Sequence, residues 1–385
     1  MPLFEGEQLR TLSGHPVLYK YFPPNEATKS LVVFVPGMAH NARISYGGHE
    51  GHRREDFLAY WFNHHGHGFL GISYPLESEQ TIMPAISPNF KIPEWGKQTA
   101  AIINAVVTEH NLPRKVIVLA WSMGGKILQP ITVQTKQHGI EVELFVSLAA
   151  TPALPGILPA VSKAQFDKTP AGYATKKSLE KSFLRQLEEQ CHLRENCPND
   201  FPAYIIDPAI YKKDYLGATP IGLTTSGFQY DVDAGDFIEE TNKWQIIEDG
   251  KAHEFSSLPP MAAIYPTSPL DFRHALTDKA TWSFLMTQRT VSQLTQEGKI
   301  GHHHQLAENA SASAFASGRH HFRQMQEVVF KIPELMTVAI DGNHFFFVGE
   351  IGAQKTVEGV IKLLENKRDI EVAIDCISPL SGLRE

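Results

Sequence analysis

Cysteine is scarce, with three among 385 residues: Cys191, Cys197 and Cys376. That is too few for a disulfide framework. Reduced thiols are the expectation, with a Cys191–Cys197 bridge the one pairing left open. Positive charge is short as well. Lys plus Arg number 35 against 42 Asp plus Glu, a net charge of −7. Non-specific nucleic-acid binding needs a basic face, so this balance argues against it. No apolar run approaches the roughly 18–20 residues that span a bilayer, so no membrane insertion is expected. The opening MPLFEGEQLR has no basic stretch ahead of an apolar core. A secretory signal is therefore not expected, and a cytoplasmic location is. No internal repeat is visible. Low complexity is confined to an Ala/Ser-rich stretch at 310–317 that suits helix or loop. What the chain does have is apolar substance: 42% hydrophobic residues and 10% aromatics. This is enough to bury a large core, in two to three domains or one large α/β domain with insertions.

The pattern opens with two strand-like runs, 8–12 and 17–22, around the turn cluster Ser13-Gly14-His15-Pro16. Then come four apolar runs: Leu31-Val32-Val33-Phe34-Val35, 68–74, 116–120 and 144–149. Such continuous runs suit strands buried on both faces of a parallel sheet. Between them lie helical stripes. Phe57, Leu58, Trp61 and Phe62 form one; Trp95, Ile102, Ile103, Val106 and Val107 form another within 94–110. A third helix is expected over 124–138, kinked at Pro130. The alternation stops near Pro152, and 153–258 is patchy in Pro, Gly, Tyr and Asp. It resumes with a strand at 261–265, helices at 277–296 and 319–330, a strand at 335–340, and a helix carrying Val357, Val360, Ile361 and Leu364. A late edge strand is expected from the alternation of Ile370, Val372 and Ile374. The fold class is thus α/β: a mostly parallel central sheet flanked by helices. The domain reading is a core of 1–152 and 259–385, with 153–258 inserted as a cap after the fourth parallel-type strand.

The motif that carries chemistry is Ala120-Trp121-Ser122-Met123-Gly124-Gly125, between a buried strand and a helix. A serine hydroxyl is a weak nucleophile until a base takes its proton. A sharp strand-to-helix turn projects it at the sheet's carboxyl edge, at a backbone cost of about 1–3 kcal/mol. Crowding at such a turn demands tiny residues two positions either side, and Ala120 and Gly124 meet that demand. The following helix aims its free amides at the reacting centre.

On this strand–elbow–helix the sequence resembles the α/β-hydrolase fold family, over most of the chain outside 153–258. Ala120 stands where that family usually has Gly. Trp-Ser-Met-Gly-Gly is similar to the elbows of carboxylesterases and related acyl hydrolases. The resemblance implies an oxyanion hole made by the amide of Met123 and one from the loop after the first parallel strand. There the chain reads Pro36-Gly37-Met38, with Pro36 in place of the family's usual His, and Met38 is the implied donor. The resemblance also implies a histidine after the last strand. His344, in Asp341-Gly342-Asn343-His344-Phe345-Phe346, fits it. An acid is implied after the strand at 261–265; Asp271 is the choice, Asp278 the fallback, and Asp341 lies too near His344. The 73 residues from Asp271 to His344 imply an extra helical insertion.

The expectation is then a serine hydrolase that cleaves a carboxylic ester or thioester through an acyl-enzyme on Ser122, with no cofactor and no metal. The alternatives are an acyltransferase on the same Ser-His-Asp set and a non-catalytic binding member of the fold. Histidines also cluster at 64–67, 302–304 and 320–321, but no Cys or carboxylate stands at ligand spacing, so solvated histidines are the reading over a metal site. Phe201, Tyr204, Tyr211, Tyr215, Phe228 and Tyr230 either line an acyl pocket or form the cap's own small core, with the latter favoured. A small-molecule acyl substrate is the expected partner. Oligomeric state is not legible.

Overall fold

The computed structural model describes residues 3–26, 28–154, 157, 162–192, 204–224, 227–242, 244–300 and 312–377. Eight strands form one sheet: β1 (Glu7–Leu12), β2 (His15–Phe22), β3 (Leu31–Val35), β4 (Phe69–Ser73), β5 (Lys115–Trp121), β6 (Glu141–Leu148), β7 (Met261–Pro266) and β8 (Thr337–Ile340). Their spatial order is β1-β2-β4-β3-β5-β6-β7-β8. β1, β2 and β4 pair antiparallel, while β4-β3-β5-β6-β7-β8 pair parallel throughout. The hairpin turn is the pair Ser13-Gly14, both at positive φ (52° and 84°). That is the twist-matched two-residue hairpin turn, and it lets His15 and Pro16 enter the strand. Every residue of β3 and β4 is buried, as a parallel sheet covered on both faces requires.

Among the described residues seven longer helices accompany the sheet: α1 (Leu58–His64), α2 (Ile92–Glu109), α3 (Leu128–Gln137), α4 (Lys177–His192), α5 (Phe272–Gln296), α6 (Ala312–Leu335) and α7 (Glu350–Asp375). Two expectations need correction. The helix expected from 124 is split: a 3-10 turn, Ser122–Ile127, precedes α3. Pro130 thus falls in the first turn of α3, where its missing N–H has no intrahelical partner to lose, so it makes no interior kink. The late edge strand does not exist, because 370–374 continues α7. Leu363, Lys367, Ile370 and Ile374 are buried at helical spacing, whereas Val372 is 63% exposed. A short alternation was therefore the shadow of a 3.6-residue period. The stretch from 312 onward is helix. Position Cys197 lies outside the described residues, and with it the Cys191–Cys197 pairing.

Between β6 and β7 the chain leaves the sheet. It forms α4, a π turn at Tyr211–Tyr215 and two small two-stranded ladders, none of which joins the central sheet. The segment is stitched to the sheet's loops by bridges His40–Leu216 and Glu77–Ala218. Beneath them Arg43, fully buried, grips Glu7 with Nε and Nη2 at 2.8 and 2.7 Å, and its Nη1 donates to the Asp214 carbonyl at 3.0 Å. A buried guanidinium needs such a bidentate partner to offset its lost hydration. Among the described residues no helix is long and apolar enough to cross a membrane.

Candidate active site

Ser122 sits where β5 ends, with φ at 54°, a left-handed conformation that non-glycine residues adopt at a cost. Its neighbours enforce this. Ala120 and Trp121 are buried, and the Ser122 carbonyl accepts from the Thr151 amide at 2.9 Å, tying the elbow to the loop after β6. A Cβ on Gly124 would lie 2.9 Å from the Val35 carbonyl oxygen, so only glycine lets the turn close against β3. The loop after β3 lies directly against the serine. A Cβ on Gly37 would stand 2.7 Å from Ser122 Cβ and 3.2 Å from its Oγ.

His344 follows β8 and is anchored from three sides. The Trp121 indole N–H donates to its carbonyl at 2.9 Å, and the two rings lie 5.2 Å apart. Its own amide donates to Gln186 Oε1 at 3.1 Å. Beside it, fully buried Asn343 donates to the Gln186 carbonyl and to Glu189 Oε2 at 2.7 and 2.6 Å. The Gly342 carbonyl accepts from the amides of Thr267 and Ser268, which joins this loop to the one after β7. That second loop delivers Asp271, at the N-cap position of α5. Its carboxylate caps nothing in the helix; it accepts instead from His344 Nδ1 at 2.7 Å. The bond places the ring's proton on Nδ1 and leaves Nε2 as the acceptor. Burial would raise the Asp271 carboxyl. The charge and hydrogen bond of His344, with His274 and Arg273 behind, outweigh it and hold Asp271 below the ordinary carboxylate value.

The other candidates fall elsewhere. Asp278 pairs with His274 Nδ1 at 2.9 Å, and burial raises its carboxyl. Asp341 accepts from Thr267 Oγ1 at 3.1 Å. Asp271, His274 and His344 offer ligand atoms within 4.8 Å of one another. Those atoms are engaged: Arg273 Nη2 lies 2.5 Å from His274 Nε2, and a metal ion would displace that cation and break the His344–Asp271 bond. No hydrogen bond joins Ser122 Oγ to His344 among the described residues. In free enzymes such a contact is commonly long and tightens only around bound substrate.

The implied oxyanion donors lie where the elbow and the β3 loop meet. Met123 is in the first turn of the 3-10 helix, whose leading amides have no partner within the helix. Met38 follows Gly37. Behind this loop stands His40, fully buried, its Nδ1–H donating to the Met38 carbonyl at 2.8 Å and its Nε2 accepting from Tyr211 at 2.5 Å. Tyr211 and Tyr215 belong to the main core, whereas Phe228 and Tyr230 pack with Ile221 and Phe237 in a separate small cluster. The expectation of one small core for all these aromatics is corrected to that extent. Tyr204 is exposed, and Phe201 lies outside the described residues. Gln186, Glu189 and Asn343, which hold the histidine loop, were not foreseen. Their only sequence signal was the Gly-Asn-His string.

The order β1-β2-β4-β3-β5-β6-β7-β8, antiparallel only in the β1–β2 and β2–β4 pairs, with a serine elbow after β5, is the α/β-hydrolase fold. Solved structures similar to the chain include a serine hydrolase from Cycloclasticus zankles (11% identity, 94% of this chain and 98% of that one, TM-score 0.48). A soluble variant of monoglyceride lipase from Saccharomyces cerevisiae is also similar (10% identity, 95% and 96%, TM-score 0.43). So is a thioesterase domain from the curacin biosynthetic pathway (15% identity, 74% and 90%, TM-score 0.36). No family model and no curated protein matches the sequence.

Proposed function

We propose that this protein is a serine hydrolase that cleaves a carboxylic ester or thioester through an acyl-enzyme on Ser122. The observation that carries the reading is the His344 Nδ1–Asp271 couple at 2.7 Å beside a strained serine elbow. In this reading Ser122 Oγ attacks the acyl carbon while His344 Nε2 takes its proton. Asp271, kept ionised, holds the imidazole in that tautomer and stabilises the imidazolium. The amides of Met38 and Met123 receive the negative charge on the carbonyl oxygen, each worth on the order of 3 kcal/mol. The C–O or C–S bond then breaks, and the leaving alcohol or thiol takes the proton from His344. Water, deprotonated by the same imidazole, attacks the acyl-enzyme and frees the acid and Ser122. Residues 153–258 act as the cap over this site.

A fluorophosphonate probe tests it, followed by a panel of aryl esters and acyl thioesters of increasing chain length. Wild type should label and turn over esters or thioesters, and Ser122→Ala should do neither. An unlabelled, inactive wild type would end the hydrolase reading. Acyl transfer to an added alcohol in preference to water would replace it with an acyltransferase.

A further inference from the structure

The peptide that carries the Met38 amide also carries the Gly37 carbonyl, and the two point in opposite directions because the peptide is planar. Whatever grips the Gly37 oxygen therefore aims the Met38 N–H. In this structure that oxygen is held at 3.4 Å by the His40 amide, and at shorter range by Tyr74, the residue after β4. Its hydroxyl donates to the Gly37 carbonyl at 2.8 Å. The tyrosine is fully buried, edge-on to Trp95 with ring centroids 4.9 Å apart, so its ring cannot drift. Burial also raises its hydroxyl well above the ordinary tyrosine value, which keeps it a neutral donor. Next to it stands Thr219, fully buried, from the inserted segment. Its Oγ1 lies 3.3 Å from the Tyr74 oxygen and accepts from the Ala39 amide at 2.9 Å. Ala39 needs that support, since it is held at φ 64° without being glycine. Thr219 is itself clamped by two backbone bonds to Ala174, at 2.8 and 2.9 Å, and Gly217 N–H donates to the Ala39 carbonyl at 2.9 Å.

We infer that Tyr74 and Thr219 are positioning residues for the oxyanion hole, and that the inserted segment, through Thr219, helps set the catalytic geometry. The inference rests on the hydrolase reading above and on Met38 as an oxyanion donor. Tyr74 lies behind the peptide, bonded to its carbonyl side. It acts on the reaction only through the orientation of the Met38 amide. Misplacing such a donor by an ångström weakens the interaction with the developing oxyanion more than with the ground-state carbonyl.

Steady-state hydrolysis of p-nitrophenyl acetate by wild type, Tyr74→Phe, Thr219→Val and Thr219→Ser tests this, together with inhibition by an aryl trifluoromethyl ketone, whose adduct places an oxyanion in the hole. Tyr74→Phe should lower kcat by roughly tenfold to a hundredfold, with KM held within about twofold. It should weaken the ketone by the same factor. Thr219→Val should shift both in the same direction by less, and Thr219→Ser, which keeps the hydroxyl, should restore both. A merely structural role would lower the unfolding temperature without this parallel between kcat and ketone affinity. Wild-type kcat in Tyr74→Phe, or a loss confined to KM, overturns the positioning role alone. A wild type inert to both ester and ketone overturns the hydrolase reading, and this inference with it.

Discussion

Lowering the pH from 7 to 4 sets His40 against its surroundings. The imidazole is fully buried and framed by the rings of Trp121, Phe183 and Phe345. Burial pushes its pKa down to about 3; the Met38 carbonyl opposes this and the nearby His344 charge adds to it. The folded value lies below the unfolded value of about 6.5, so the unfolded chain takes up the proton first. The contribution to stability is therefore complete above pH 6.5 and is lost as the pH falls toward 3, at about 1.4 kcal/mol per pH unit. By pH 4 the loss from this one group is roughly 3 kcal/mol, a large share of a domain's net stability. The perturbation to compare is His40→Gln, which keeps an amide able to donate and accept but does not titrate. Urea unfolding followed by tryptophan fluorescence at pH 7 and pH 4 reads the effect. The variant should be less stable at pH 7, yet lose roughly 3 kcal/mol less than wild type between the two pH values. His49, pushed to about 4 by burial and then by His52 and Arg43, contributes in both proteins and cancels in the difference. Equal losses in the two proteins would refute the reasoning, because His40 would then not be the buried neutral group described.

Gly37→Ala would set a methyl 2.7 Å from Ser122 Cβ and must displace the loop or the serine by more than half an ångström; kcat should drop on the order of a hundredfold. An ester assay at saturating substrate checks this, and unchanged turnover would contradict the close approach. Asp271→Asn keeps the shape but removes the charge that fixes the His344 tautomer. A fall in kcat on the order of a thousandfold is expected, with slower fluorophosphonate labelling, and a fall below tenfold would point to another acid. Glu7→Gln leaves the Arg43 guanidinium buried without its bidentate carboxylate, at a cost of roughly 3 kcal/mol or more. A thermal melt within a degree of wild type would show that Asp214, 3.8 Å away, carries the pair instead.

Much of the sheet was legible because its strands are continuous apolar runs separated by turn residues, and burial on both faces of a parallel sheet leaves no other pattern. The elbow was legible for a related reason. Crowding at a tight strand-to-helix turn admits only small neighbours, so Ala120 and Gly124 mark Ser122 from the sequence alone. The resemblance to the α/β-hydrolase family, with its order of serine, acid and histidine along the chain, then implied Asp271 and His344. Helix limits were less legible where two periods overlap, as at Ile370–Ile374, or where a 3-10 turn substitutes for the first turn of a helix, as at Ser122–Ile127. Only the tertiary structure brought Asp271 to His344 across 73 residues, because that depends on two neighbouring strands ending at the same edge. It alone set Gln186 and Glu189 of α4 behind the histidine loop, and Thr219 and Tyr74 behind Gly37. Those partners are polar side chains in unpatterned stretches. Their roles come from where a carbonyl or amide is left without a partner once the sheet has formed, and that need has no periodicity to leave in the chain.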